Sequence, residues 1–189
     1  MIAAALDPGH YGWWLASRAA AIVALILMAL SVPLGLTMAT KVLRRPRLTK
    51  LLAGLHEHAS LAALVAIAVH GLALLGDRCL HPSLAQIALP FAMPYRLLWT
   101  GLGVIGGYLT AVLALSFYAR KRFGSSRWRF AHRFTLVGYA LGVVHALGAG
   151  TDAGTTWFQV VALAPLVPIL GLLSLRYLPQ RSPAPATGR

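Results

Sequence analysis

An all-α integral membrane bundle of five transmembrane helices, with its N-terminus outside and its C-terminus in the cytoplasm, is the fold class the sequence predicts. Three observations lead there. Hydrophobic residues make up 58% of the 189 residues and the mean hydropathy is +0.71. Charged residues are only 11%, well below the ~25% of a soluble domain. The apolar residues gather in five stretches close to the ~20 residues needed to cross a hydrocarbon core of ~30 Å.

The predicted spans cover 14–37, 51–75, 97–117, 130–148 and 157–177, within one domain over 1–189. Lipid offers backbone groups no hydrogen-bond partner, so each crossing satisfies itself as a helix. Pro33, Pro165, Pro168 and Gly103 are tolerable inside such helices, and Gly106 and Gly107 allow close helix approach. Lys41, Arg44, Arg45, Arg47 and Lys50 fill the first loop. Arg120, Lys121, Arg122, Arg127, Arg129 and Arg133 fill the third, and Arg176, Arg181 and Arg189 follow the last span. The second and fourth loops hold Asp77, Arg78 and Asp152. Positive-inside bias then sets the orientation, and an odd number of spans agrees with it. The expected location is the cell (inner) membrane of a bacterium, multi-pass and surrounded by lipid. Trp13, Trp14, Tyr95, Trp99 and Trp157 form an expected outer aromatic belt, and Trp128 an inner one. The stretch 85–93 is apolar but too short to cross. The tail 182–189 is rich in Pro and Ala and is expected to be disordered. The first apolar run is too long for a signal peptide and has no basic residues before it, so it is expected to remain as a span.

Net charge is +13. Its clustering in two short loops between apolar runs is what membrane topology demands, so nucleic acid is not an expected partner. Cys79 is the only cysteine, which excludes an intrachain disulfide and a C-x-x-C-H site for covalent haem. Gly101-Leu102-Gly103-Val104-Ile105-Gly106 matches G-x-G-x-x-G but lies inside a predicted span, without the strand that a dinucleotide site needs.

The chemistry lies in the histidines. His56 and His70 are 14 residues apart in the second span, and His132 and His145 are 13 apart in the fourth. At about 1.5 Å rise per residue, each interval covers roughly 20 Å of helix, about two-thirds of the hydrocarbon core. Both spans run from inside to outside, so His56 pairs in depth with His132, and His70 with His145. Each pair is a candidate set of axial iron ligands for one non-covalent haem b, giving two haems stacked across the membrane. Fourteen residues fall about 40° short of whole turns, which keeps His56 and His70 on one face; thirteen leave about 140° between His132 and His145. Gly138 and Gly142 lie between those two, where a bend would relieve the mismatch. His58 competes with His56 as the inner ligand, but its 12-residue interval to His70 puts it about 120° away. A proton or ion path is disfavoured, because no acid lies at mid-membrane and Glu57 is near the inner edge.

The motifs Leu55-His56 through Val69-His70 and Trp128-Arg129-Phe130-Ala131-His132 through Val144-His145 resemble the ferric-reductase-like transmembrane family. Trp14-Leu15-Ala16-Ser17-Arg18 and Pro94-Tyr95-Arg96-Leu97-Leu98-Trp99 resemble its stand-alone bacterial members, and the likeness covers roughly 12–178. Its superfamily includes the haem domains of NADPH oxidases and ferric reductases, and the haem subunit of the bacterial methionine sulfoxide reductase system. The resemblance implies di-haem electron transfer from a cytoplasmic reductant to an extracytoplasmic acceptor. Retention of all four histidines favours two haems over the three-histidine, single-haem variant. The oxidases carry an additional N-terminal helix and C-terminal FAD and NADPH domains. Here 12 residues follow 177, so flavin is expected only on a partner, a separate cytoplasmic flavoprotein reductase, or weakly bound; quinol is the other expected donor. Three rival readings stay open: a haem relay for a separate periplasmic reductase, a quinone-linked cytochrome b without a substrate site of its own, and a cofactor-free structural or transport subunit.

Arg18 lies within the first span near the outer face. It is a candidate partner for an outer haem propionate, or else snorkels to headgroups. Arg129 and Arg133 flank His132 and are candidates for the inner propionates; Arg78 and Arg96 are weaker outer candidates. Tyr139, midway between the ligand layers, is either a spacer between haems or a packing residue. The expected chemistry is outer-sphere electron transfer, so no catalytic acid or base is expected.

Overall fold

The structure is a computed structural model that describes residues 8–40 and 45–177. Among these the chain is all-helical and has no strand: α1 Pro8–Thr40, α2 Pro46–Leu74, α3 Leu84–Ala88, α4 Leu97–Phe123, α5 Ser125–His132, α6 Thr135–Ala149, α7 Thr156–Leu163 and α8 Leu166–Tyr177. Four segments are long and apolar enough to cross a membrane: Tyr11–Thr40, Pro46–Leu74, Leu97–Phe123 and Thr156–Tyr177. Lys41, Arg44, Arg181, Arg189 and the tail 182–189 lie outside the described residues.

Local chemistry sets the helix ends. Pro46 opens α2 at a position where its missing N–H costs nothing, and Arg45 before it is extended at φ −105° and ψ 113°, as the ring of a following proline requires. α3 starts at a capping box: the Gln86 N–H donates to Ser83 Oγ at 3.2 Å, and the Ser83 N–H donates to Gln86 Oε1 at 2.8 Å. α4 ends at Gly124, whose φ of 87° is open to glycine and strained for other residues.

Two expected spans are not straight helices. The segment 130–148 is divided between α5 and α6, because the backbone tightens around Arg133 and Phe134. Arg133 N–H bonds to Phe130 O at 3.2 Å, Phe134 N–H to Ala131 O at 3.0 Å, and Leu136 N–H to Arg133 O at 3.3 Å, all three residues back rather than four. The carbonyl of His132 is instead capped by Thr135 Oγ1 at 2.7 Å. With 15 residues, α6 is about 22 Å long. The segment 157–177 divides at Ala164–Pro165 into α7 and α8, where proline cannot continue the ladder.

α1 lies against α2, and α4 against α6. Leu25, Ala29 and Leu36 of α1 meet Tyr139 and Val143 of α6, Phe158 and Ala162 of α7, and Ile169 of α8 in one buried cluster. The α4–α6 contact is close because it is made through glycine. A Cβ on Gly106 would lie 2.9 Å from Leu141 Cβ and 3.3 Å from the Gly138 carbonyl. The backbones of α2 and α6 stay apart, and that gap holds the site.

Gly106→Leu should therefore destabilise the protein by about 1–3 kcal/mol through overpacking. Gly54→Ala, whose added Cβ meets nothing within 4 Å, should be neutral or stabilising by up to about 1 kcal/mol. Thermal unfolding in detergent reads both, and equal midpoints for the two variants would contradict the packing.

Candidate functional site

The four histidines named from the sequence come together as two pairs. The rings of His56 and His132 have centroids 6.0 Å apart at an interplanar angle of 89°. Those of His70 and His145 are 6.2 Å apart at 65°. The backbone break between α5 and α6 explains how a 13-residue interval serves both levels. Each residue wound with three-back bonding turns about 120° instead of 100°, so a few of them cut the 140° mismatch substantially.

Three of the four rings are held by Nδ1. His70 Nδ1 lies 3.0 Å from the Ser17 carbonyl and 2.9 Å from Ser17 Oγ. His56 Nδ1 lies 2.9 Å from the Ser31 carbonyl and 2.8 Å from Ser31 Oγ. His145 Nδ1 lies 2.9 Å from the Trp99 carbonyl. A carbonyl accepts only, so the proton sits on Nδ1 in these three rings and Nε2 keeps a lone pair.

A local rule lets each ring reach its carbonyl: the residue one turn further along the accepting helix is small. Gly103 follows Trp99 by four, and a Cβ there would stand 2.5 Å from His145 Nδ1. Gly35 follows Ser31 by four, and its Cβ would stand 3.1 Å from His56 Cε1. Ala21 follows Ser17 by four and lines the same cavity as His70. His132 breaks the rule. Its Nδ1 is buried without a hydrogen-bond partner. The backbone acceptor it faces is Leu113, whose carbonyl already takes the Ser116 hydroxyl at 2.7 Å, and the residue four on is Phe117. Trp128 instead stacks on His132, with centroids 4.9 Å apart at 28°. The indole Nε1 of Trp128 is likewise buried and unpartnered.

A cavity of about 680 Å³ opens around the His70/His145 pair, lined among others by Trp14, Ser17, Gly103 and Gly142. Its size falls within the range of small-molecule and cofactor sites. The short apolar stretch 85–93, with α3, borders it: Gln86, Ile87, Leu89 and Phe91 contribute to the lining. The loop is tied down where Arg96 Nη1 donates to the Gly148 carbonyl at 2.5 Å and Tyr95 OH to the Ala149 carbonyl at 3.4 Å, which satisfies the end of α6.

The remaining expected site residues divide. Arg18 lines the cavity, but its fork is engaged by a protein carboxylate: Nε and Nη2 donate to the two oxygens of Asp152 at 2.6 and 2.5 Å. Arg129 and Arg133 are exposed and form no ion pair among the described residues; the Arg133 guanidinium lies 6.0 Å from the Phe130 ring. His58 is exposed and donates its Nδ1–H to the carbonyl of Gly54, its own helix, at 2.7 Å. Tyr139 belongs to the α1–α6–α7–α8 cluster rather than to the cavity lining. No group of three or more metal-ligating side chains occurs among the described residues.

Ser17, Ser31, Trp128 and Asp152 were not expected as site residues. A signal for the serines exists: they are 14 residues apart, the interval of His56 and His70. No family model, curated protein or solved structure matches the chain.

The Arg18–Asp152 pair should couple the two ends of the fold. Arg18→Ala and Asp152→Ala should each lower stability by about 1 kcal/mol, allowing for a guanidinium side chain 35% exposed. The double variant should lose little more than either single one, and additive losses in thermal unfolding would show that the pair is not coupled.

Proposed function

We propose that the chain is a di-haem b-type cytochrome of the ferric-reductase-like class, carrying electrons from a cytoplasmic reductant to an extracytoplasmic acceptor. The ring spacing carries the reading. Two imidazoles that bind one metal atom at about 2 Å through opposed Nε2 atoms place their centroids about 6 Å apart, and both pairs stand at that distance. His56 and His132 would hold one haem, and His70 and His145 the other. Haem held there would supply one-electron transfer, which asks no acid or base of the protein.

The protein's part is placement. Nδ1 bonds orient three of the four rings and leave Nε2 free for metal. Glycine at 103 and 142 keeps the cavity open beside His145. Trp128 and Arg18 add donors: an indole N–H without a partner, and a guanidinium that retains N–H groups beyond the two given to Asp152.

The same pairing supports a fifth crossing. Because His132 faces His56 and His145 faces His70, the segment from 132 to 145 passes through the same depth as 56 to 70 of α2. With five crossings, the basic ends Arg45–Lys50 and Arg120–Arg133 fall on the cytoplasmic side, where they suit an acidic flavoprotein donor. Cys79 is exposed in the loop after α2. A membrane-impermeant maleimide should therefore label it from the outside of intact spheroplasts, and labelling only after lysis would reverse the orientation.

Purified protein assayed as its pyridine haemochrome should contain about two haem b per chain. His70→Ala and His145→Ala should each reduce the ratio to about one, while His58→Ala leaves it at about two. A colourless wild-type protein, prepared with haem supplied during expression, would overturn the reading.

A further inference from the structure

The two α2 histidines each have a serine hydroxyl on Nδ1 that their mates, His132 of α5 and His145 of α6, lack. Ser17 and Ser31 repeat on α1 the 14-residue spacing of His56 and His70. The helices run antiparallel, so Ser17 meets His70 and Ser31 meets His56 with the same local geometry. Both hydroxyls are buried, at 2% and 5% exposure, so water does not replace these bonds. Ser17 O–H donates to the His70 carbonyl at 3.0 Å, which leaves its lone pairs facing the Nδ1–H. Ser31 is also 2.7 Å from Ser60 Oγ and 3.4 Å from the His56 carbonyl. Whichever hydroxyl donates in the serine pair, Ser31 keeps a lone pair for Nδ1–H.

We propose that Ser17 and Ser31 are positioning residues that tune the two centres separately, one serine for each. The proposal rests on the haem reading above. An acceptor on Nδ1–H makes the imidazole a stronger Nε2 donor, and a stronger donor favours the oxidised metal. Each hydroxyl thus lowers the midpoint potential of its own centre, Ser17 the His70/His145 centre and Ser31 the His56/His132 centre. A role in packing alone would give no reason for the serines to keep the histidine interval, or for each hydroxyl to sit on Nδ1.

The test is a spectroscopically monitored redox titration of the purified holoprotein, with each centre assigned by its absence in His70→Ala or His56→Ala. Ser17→Ala should raise the midpoint of the outer centre alone, and Ser31→Ala that of the inner centre alone. The expected shift is up to about tenfold in the reduction equilibrium, or about 59 mV for one electron. Ser17→Thr, which keeps the hydroxyl, should return most of the shift. Shifts of both centres together, or of neither while both remain bound, would overturn the proposal. If Ser17→Ala loses its centre, Ser17→Thr decides: restored binding at the native potential supports the assignment, and no restoration counts against it. ¹⁵N imidazole spectra of the diamagnetic protein provide a readout without the cofactor. His56 and His70 should show a protonated Nδ1, and Ser17→Ala should perturb His70 and leave His56 unchanged. A colourless protein that passes this second test would refute the haem reading while keeping the serine–histidine assignment; a protonated Nε2 would refute the assignment itself.

Discussion

Holding an imidazole with its proton on Nδ1 is the constraint on which the helix packing turns, and in the haem reading proposed above it frees Nε2 for a metal. Three of the four intramembrane histidines satisfy it by aiming Nδ1 at a backbone carbonyl that is already an acceptor within a helix. A carbonyl in the helix interior has a second lone pair to spare, so the ring is held without breaking the ladder that lipid obliges the helix to keep. The cost is steric, because the ring must lie across the accepting helix. That requirement accounts for Gly35 and Gly103, where any Cβ would press on the His56 or His145 ring.

The same requirement explains the pairing of helices. α1 presents carbonyls to the histidines of α2, and α4 presents one to His145 of α6, so each ligand helix lies against a helix that orients its rings. The ligand helices themselves remain apart, and side chains fill the space between them at two levels. α2 is continuous and keeps its two rings on one face. The α5–α6 segment cannot do this with ordinary helical winding. Its tightened turn directly after His132, with Thr135 capping the released carbonyl, supplies part of the missing rotation at the point where His132 ends α5.

The spans at 14–37, 51–75 and 97–117 were legible because long apolar runs need no tertiary information, and the structure extends each of them into its polar flank. The depth pairing of the histidines was legible for a related reason, since residue count along a helix measures depth. The break in the fourth span was not. Its sequence has no proline, and glycines 138 and 142 drew attention to a point nearly two turns too late. They serve instead as the contact with α4 and as open cavity wall. Arg18, expected near the outer face, lines the cavity beside His70, but its partner Asp152 lies 134 residues away, beyond any local pattern. The serines were visible as an interval, yet serine is common in membrane helices. Only the antiparallel register of α1 against α2 gives that interval meaning.

The two levels are built differently, and the difference follows from what each must exclude. The outer pair lies beneath a loop clamped to the end of α6, beside an arginine whose charge is matched by Asp152. The inner pair lies near the end of α5, with an aromatic ring stacked on His132 and unpaired guanidinium groups close in sequence. A charge matched at short range contributes little field beyond its neighbours, whereas unmatched charges at a membrane face act over about a Debye length, ~8 Å at physiological salt. The outer level is thus electrostatically closed and sterically covered, while the inner level is open to charge from its surroundings. One helix, α2, serves both levels with the same residue and the same serine partner. The asymmetry therefore comes from what surrounds that shared frame: a carbonyl bonded to His145 Nδ1, and for His132 a stacked indole with Nδ1 left unbonded.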